Sequence, residues 1–254
     1  MKIALIQSNL IWENPKANRD IFENKINEIN GSVDLIVLPE MFTTGFTMNP
    51  NAVAESMQGE TVLWMQSLAK AKKTAITGSV VIEESGNFYN RMLFVFPSGE
   101  IEHYDKRHLF TLAGEEKVYT AGNKKLIVDY LGWKICPMVC YDLRFPVFSR
   151  NVENYDLLLY VASWPEKRIQ AWDALLKARA IENMSYVVAV NRVGVDDNQH
   201  QYVGHSQVID FLGNYELEPQ ETENVFVIRL DRDKMLSARK SFGFLNDSDA
   251  FQLC

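Results

Sequence analysis

Short, uninterrupted apolar runs alternate along this chain with segments whose apolar residues recur at helical spacing. The clearest apolar runs are 35–38, 133–139, 157–162 and 186–191. Strands that are apolar at nearly every position belong to sheets covered on both faces. The segments with helical spacing include 15–30, 61–73 and 171–183. This alternation predicts an α/β fold.

Two of the helical segments carry more detailed expectations. Segment 61–73 is predicted to bury a side that contains Leu63, Leu68 and Ala69. Segment 146–153 is also predicted to be helical.

Parts of the first half of the chain resemble parts of the second. The run that starts at Asp34 is matched by one that starts at Asp156, 122 residues later, and the hairpin glycines Gly99 and Gly213 lie 114 residues apart. If the repeat is real, two mixed sheets face each other with helices outside, as an α-β-β-α sandwich. Chance resemblance within an α/β chain explains the offsets equally well. Since no linker-like stretch separates the halves, we expect residues 1–254 to form a single domain.

The charge balance narrows the classes of partner. The chain has 26 Lys and Arg against 33 Asp and Glu, a formal net charge of −7, and no basic tract. Nucleic acids and anionic membrane surfaces are therefore poor partners, and we expect small molecules instead.

The cysteine count and the absence of long apolar runs point to a cytoplasmic protein. No run approaches the ~20 residues that span a bilayer, and the apolar start of the chain is too short for a signal peptide. The three cysteines, Cys136, Cys140 and Cys254, are too few for a disulfide framework.

Cys140 is the first candidate for chemistry. It ends an apolar strand and opens a turn, where a sulfur can face a cleft and the next backbone N–H, that of Tyr141, can point to the same place. Cys136 comes from the same strand, on the same face but deeper. Free cysteines are commonly buried and inert, so position alone leaves both interpretations of Cys140 open.

Two carboxylates and a lysine are the next candidates. Glu40 directly follows a buried strand and Pro39, where partial desolvation raises the pKa of a carboxyl toward that of a general base. Lys106 follows a hairpin strand and can stabilise an oxyanion, and Glu115 can hold the lysine in place. A surface glutamate and a solvated basic patch are the structural alternatives.

Other common constellations are missing from the sequence. The four histidines and three cysteines show no zinc-ligand spacing, and no phosphate-binding glycine loop is present. We therefore expect chemistry without a metal or a cofactor.

Three motifs, in this order, resemble the nitrilase superfamily of carbon–nitrogen hydrolases. They are Leu-Pro-Glu-Met-Phe around Glu40, Lys-Arg-His-Leu-Phe around Lys106, and Cys-Tyr-Asp-Leu-Arg-Phe-Pro around Cys140. The likeness continues through 162–165, 178–183 and 191–194, so it covers almost the whole chain. Phe-Thr-Thr-Gly-Phe at 42–46 and Ser-Trp-Pro at 163–165 resemble the ω-amidase branch in particular.

The resemblance implies a function and a role for each motif residue. Glu40 is the general base, Lys106 the oxyanion cation, Cys140 the nucleophile and Glu115 the second glutamate of the family, while the Tyr141 backbone N–H completes the oxyanion site. It also implies an α-β-β-α sandwich, a homodimer, and hydrolysis of the terminal amide of monoamides such as 2-oxoglutaramate.

An ω-amide substrate carries a carboxylate that the protein must bind. Arg144 and Arg192 are the candidate carboxylate ligands, and an ion pair between Arg144 and Asp142 is the structural alternative for Arg144. Phe42, Tyr141 and Trp164 are candidate apolar walls, although aromatic residues at strand ends are often simply core.

Two other functions fit the same sequence. One is another activity of the superfamily, on nitriles, N-carbamoyl compounds or simple amides. The other is a catalytically silent binding protein of the same fold. An active Cys140 of low pKa should react with iodoacetamide much faster than Cys136, whereas comparable rates would favour the silent protein.

Overall fold

Two six-stranded mixed sheets form the body of the protein. The computed structural model describes residues 1–252. In the order of their strands, the sheets are β14-β1-β2-β3-β4-β5 and β13-β12-β9-β8-β7-β6. The first contains β1 (Lys2–Gln7), β2 (Leu35–Val37), β3 (Ala75–Glu84), β4 (Asn87–Val95), β5 (Ile101–Asp105) and β14 (Asn224–Arg229). The second contains β6 (Val128–Tyr130), β7 (Trp133–Val139), β8 (Leu157–Ala162), β9 (Tyr186–Asn191), β12 (Ser206–Ile209) and β13 (Tyr215–Gln220). A separate hairpin pairs β10 (Val193–Val195) with β11 (Gln201–Val203).

Helices cover the outer faces of both sheets. They are α1 (Pro15–Asn27), α2 (Pro50–Val53), α3 (Glu60–Lys72), α4 (Pro146–Ser149), α5 (Ile169–Asn183) and α6 (Arg232–Phe242). Within residues 1–252, none is long and apolar enough to cross a membrane.

Side chains that alternate in direction along β1 contribute to two apolar layers, one on each face of the first sheet. Ile3 and Leu5 pack into the same apolar cluster as β7, β8 and β9, between the sheets. Ala4 and Ile6 point the other way, into a cluster with Phe22 of α1 and residues of α3. Because successive side chains of a strand face opposite sides, each strand contributes to both layers. The α-β-β-α sandwich expected from the sequence is confirmed.

The two sheets repeat one arrangement of strands. In each, three parallel strands (β1-β2-β3, or β7-β8-β9) are flanked by one antiparallel strand on one side and two on the other. Asp34 exchanges hydrogen bonds with the backbone of Lys2, and Asp156 does the same with Lys134. The Asp34–Asp156 offset in the sequence therefore corresponds to a structural repeat.

The hairpin glycines Gly99 and Gly213 also occupy equivalent places in the two halves. Gly99 and Gly213 adopt φ angles of +90° and +88°, in the left-handed region that glycine enters most readily. Each donates a backbone hydrogen bond that closes the turn before the antiparallel return strand.

Two expectations about helices were wrong. Leu63 is 53 % exposed, and the buried side of α3 is formed by Val62, Met65, Leu68 and Ala69 together with Thr61. The helix expected at 146–153 ends at Ser149. The Asn151 amide bonds to both backbone groups of Tyr155, which holds this segment in a non-helical turn.

Candidate active site

A buried ion cluster lies at one end of the sandwich. The Lys106 ammonium is 3.0 Å from Glu40 Oε1 and 2.8 Å from Glu115 Oε2. All three side chains are at most 1 % exposed. Asn90 Nδ2 donates to Glu40 Oε1 at 2.8 Å. The cluster therefore contains three of the four side chains for which the sequence suggests catalytic roles, and the fourth, Cys140, lies beside it.

Each member of the cluster is placed by a strand end or a turn. Glu40 lies just beyond β2, and Lys106 directly follows β5, where its backbone N–H donates to the Asn90 carbonyl of β4 at 3.0 Å. Glu115 begins a 3₁₀ turn and accepts a hydrogen bond from the Phe110 N–H at 2.5 Å. Backbone bonds thus fix the lysine and Glu115 independently of any ligand.

The electrostatics of the cluster keep Lys106 charged. Burial alone would lower its pKa, but the negative charges of Glu115 and Glu40 outweigh burial and raise the pKa above its ordinary value. Burial raises the pKa of Glu115, and the Lys106 cation opposes that effect. Two carboxylates share one ammonium, so the cluster carries excess negative charge close to Cys140 whenever both are ionised.

Cys140 opens a sharp turn after β7. Its φ is +45°, a left-handed conformation that is costly for a residue with a side chain, and it begins a 3₁₀ helix over Cys140–Arg144. The residue is partly exposed to a cavity, whereas Cys136 is fully buried. In the first turn of this helix the Tyr141 N–H has no intrahelical partner. The turn therefore presents a sulfur and a free donor together.

The expectation of a low pKa for Cys140 was wrong. Desolvation raises the pKa of its thiol well above the ordinary value, and the negative charge of Glu40 raises it further, against the opposing effect of Lys106. The resting thiol is thus protonated. Attack by this sulfur would require a base, and Glu40 is the ionisable group whose charge acts most strongly on the thiol.

Ser163 connects Glu40 to the second sheet. Its N–H donates to Glu40 Oε2 at 2.8 Å, and its hydroxyl lies 3.4 Å from the Glu40 carbonyl. Ser163 directly follows β8, the parallel neighbour of β7. Groups from both sheets therefore orient the Glu40 carboxylate.

The Asp142 carboxylate joins the Lys106 and Cys140 segments. One oxygen accepts from the Tyr104 hydroxyl at 2.7 Å and the Val139 N–H at 2.9 Å. The other accepts from the His108 N–H at 3.0 Å and lies 2.7 Å from His108 Nδ1. Tyr104 and His108 are two residues on either side of Lys106, and Asp142 is two residues after Cys140. This buried carboxylate therefore fixes the lysine relative to the sulfur.

We expect Asp142→Asn to lower kcat by about 10-fold or more and to destabilise the protein by about 2–4 kcal/mol. Its amide NH2 would face donors where an oxygen now accepts. Steady-state kinetics and thermal unfolding measure the two effects, with the exposed Asp129→Asn as the matched control. An unchanged kcat in folded Asp142→Asn would show that the link between the two segments has no part in the reaction.

A cavity of about 580 Å³ opens over Cys140. Its walls are largely aromatic and apolar, and the aromatic lining residues are Trp12, Phe46, Phe110, Tyr141, Trp164 and Tyr202. Charged and titratable groups at the wall are Glu13, Arg144, Arg168, Asp196 and His200. The cavity can therefore hold a small molecule that has an apolar body and charged ends.

Arg144 lines this cavity, as expected of a carboxylate ligand. Its guanidinium lies 5.0 Å from the centre of the Trp164 ring. The alternative ion pair with Asp142 is not formed, because Tyr104, His108 and Val139 occupy that carboxylate.

Phe42 and Arg192 lie away from the cavity, in contrast to the expectation that they contact substrate. Phe42 is fully buried, and its ring packs edge-on against Phe22. Arg192 is also fully buried. Its guanidinium lies 4.5 Å from the centre of the Tyr202 ring and donates to Asn9 Oδ1. Arg192 thus supports a wall of the cavity from behind.

Sequence reasoning gave no role at the site to Asn90, Ser163 or Arg168. Asn90 carries no local signal, since it lies mid-strand in β4 and meets Glu40 only through pairing of distant segments. Ser163 and Arg168 follow an apolar strand, and the carboxyl ends of parallel strands are where ligand sites form. That signal could have identified both.

Comparisons with known proteins identify the family of this chain. The carbon-nitrogen hydrolase family matches residues 2–240. The chain is 45 % identical to omega-amidase YafV of Escherichia coli (strain K12), over 100 % of this chain and 98 % of that protein. It is 30 % identical to 2-oxoglutaramate amidase of Bacillus subtilis (strain 168), over 96 % of each.

A solved structure of a CN-hydrolase superfamily protein from Xanthomonas campestris shares the fold with a TM-score of 0.98. That protein is 44 % identical, and the match covers 100 % of this chain and 99 % of the other. The chain therefore belongs to the carbon–nitrogen hydrolases of the nitrilase superfamily, in the ω-amidase branch, and is a hydrolase of amide C–N bonds.

Proposed function

We propose that this protein hydrolyses the terminal amide of small dicarboxylic acid monoamides, such as 2-oxoglutaramate, and releases ammonia through a thioester on Cys140. The observation that carries the proposal is the buried Glu40–Lys106–Glu115 cluster beside a cysteine that opens into a cavity with arginine at its wall. The names of the bacterial relatives support the same substrate class.

The first step forms the thioester. Glu40 removes the proton from the Cys140 sulfur, and the sulfur attacks the amide carbon. The carbonyl oxygen becomes an oxyanion that Lys106 and the Tyr141 N–H stabilise. As the C–N bond breaks, Glu40 returns its proton to the nitrogen, which leaves as ammonia.

The second step releases the acid. Glu40, again ionised, takes a proton from water, and the resulting hydroxide attacks the thioester carbon. The tetrahedral intermediate collapses with cleavage of the C–S bond, and the proton on Glu40 returns to the Cys140 sulfur. One carboxylate thus serves both half-reactions.

Glu115 acts through Lys106. It touches the ammonium with both oxygens, at 3.0 and 2.8 Å, and is itself held by the Phe110 N–H. Its negative charge favours the ammonium form of the lysine, which the oxyanion requires. We assign Glu115 a positioning role.

At the far end of the substrate, Arg144 binds the carboxylate. Its guanidinium has no ion-pair partner within residues 1–252 and is held against Trp164. A guanidinium matches a carboxylate with two parallel hydrogen bonds, which gives orientation as well as affinity.

We expect wild-type protein to release ammonia from 2-oxoglutaramate and Cys140→Ala to release none, because no other group can form the thioester. A coupled assay of ammonia measures the rate, and Cys136→Ala is the matched control on the same strand. Activity in Cys140→Ala would refute the role of the cysteine. If the wild type releases no ammonia from this amide, the substrate proposal fails, and nitriles, N-carbamoyl compounds and simple amides become the compounds to assay.

The raised pKa of Cys140 gives a second prediction. A negative charge beside a thiol disfavours the thiolate, so removing that charge must lower the thiol pKa. In Glu40→Gln, therefore, the pH midpoint for alkylation of Cys140 by iodoacetamide should move to lower pH, while turnover of the amide falls by about 100-fold or more. Mass spectrometry of alkylated peptides measures the midpoint, with buried Cys136 as internal reference. A midpoint that stays the same or rises would show that the charge of Glu40 does not raise the pKa of the Cys140 thiol.

A further inference from the structure

Arg168 lines the same cavity as Arg144 and Cys140. In the sequence it follows Trp164, which also lines this cavity. We propose that Arg168 is a second anion-binding residue, which together with Arg144 selects amides of 2-oxo acids and rejects amides that carry an α-ammonium group. The inference rests on the proposed function and deepens it by identifying what distinguishes the far end of the substrate.

The acidic groups at the cavity wall are already occupied. The Glu13 carboxylate accepts from the Thr47 hydroxyl at 2.5 Å and lies 3.4 Å from Asn49 Nδ2. Asp196 accepts from the Tyr202 hydroxyl and the His200 N–H, both at 2.9 Å. Neither carboxylate lies within ion-pair distance of Arg144 or Arg168, so both guanidinium groups keep their donors for a ligand.

The two arginines, by contrast, have unused donors. Within the described residues, neither guanidinium donates a hydrogen bond to a protein acceptor or forms an ion pair. Each is held by an aromatic face, because Arg144 lies 5.0 Å from the Trp164 ring centre and Arg168 lies 5.0 Å from that of Phe110. Stacking restricts where the guanidinium groups point but leaves their N–H groups free. Two unpaired cations in one largely apolar cavity favour a ligand rich in anionic oxygen.

Short segments connect both arginines to the catalytic groups. Arg144 ends the 3₁₀ helix that Cys140 begins, and Arg168 ends the 3₁₀ helix Glu166–Arg168, which follows Ser163 closely. The Trp164 indole N–H donates to the Arg168 carbonyl at 2.8 Å, which fixes that second turn. The positions of both guanidinium groups are thereby set relative to the sulfur.

Two guanidinium groups can distinguish substrates by the groups at the end opposite the amide. A single carboxylate is satisfied by one guanidinium fork, whereas a 2-oxo acid offers a third oxygen on the neighbouring carbon. An α-amino acid places an ammonium at that carbon, where two arginines repel it. Arg168 therefore favours 2-oxoglutaramate over glutamine.

Binding of the non-hydrolysable product tests Arg168 separately from catalysis. Calorimetry with 2-oxoglutarate compares the wild type, Arg168→Gln and Lys167→Gln. Lys167 is the neighbouring exposed residue, loses the same charge and does not line the cavity. We expect about 10- to 100-fold weaker binding in Arg168→Gln and a change under about 2-fold in Lys167→Gln. Unchanged affinity in Arg168→Gln, or equal losses in both variants, would overturn the assignment.

Kinetics then separate substrate selection from damage to the site. In Arg168→Gln, kcat/KM for 2-oxoglutaramate should fall relative to that for glutamine, while alkylation of Cys140 by the uncharged iodoacetamide keeps its rate. A slower alkylation would mean that Arg168 acts through Phe110 on the catalytic cluster, against the proposal. If the wild type hydrolyses neither amide, the proposed function fails, and the calorimetry still decides whether Arg168 binds the dianion.

Discussion

The ammonium of Lys106 is buried with two carboxylates, and the geometry of the site depends on that arrangement. Burying one ion costs several kcal/mol, and a close counter-ion with good hydrogen bonds is what makes it tolerable. Glu115 supplies that counter-ion with both oxygens, and Glu40 supplies a second. The pairing keeps the lysine charged, while burial and then the negative charge of Glu40 raise the pKa of the Cys140 thiol. In the proposed mechanism, Glu40 removes the proton from this thiol.

The repeated strand arrangement explains how these groups meet. Glu40 follows β2 of one sheet, while Cys140 and Ser163 follow β7 and β8 of the other, so the carboxyl ends of parallel strands from both sheets converge on one place. Asp142 then joins the segment after β7 to the segment after β5 through Tyr104 and His108. The chemistry is therefore built between two halves that are alike in topology and different in the residues at their strand ends.

Local patterns in the sequence predict much of this and fail in identifiable places. Apolar runs and turn glycines predict the strands, and the order of three motifs predicts which glutamate, lysine and cysteine cluster. Phe42 was predicted to contact substrate as an aromatic residue near a strand end, and Arg192 because its segment resembles the family, yet both side chains are buried in the protein interior. Asn90 was missed because its contact with Glu40 depends on how β4 lies in the sheet. The thiol pKa also depends on the three-dimensional arrangement, since it reflects the distance to a charge 100 residues earlier.

Replacing Lys106 by methionine removes the buried charge and little else, because the two side chains are similar in length and only one carries a charge. The measurement is kcat for ammonia release from 2-oxoglutaramate by protein shown to be folded by circular dichroism. We expect a loss of about 100- to 1,000-fold, the usual effect of removing one oxyanion donor, with Cys140 still present to react with iodoacetamide. A kcat near that of the wild type would contradict the account, since the buried cation would then contribute nothing to the reaction.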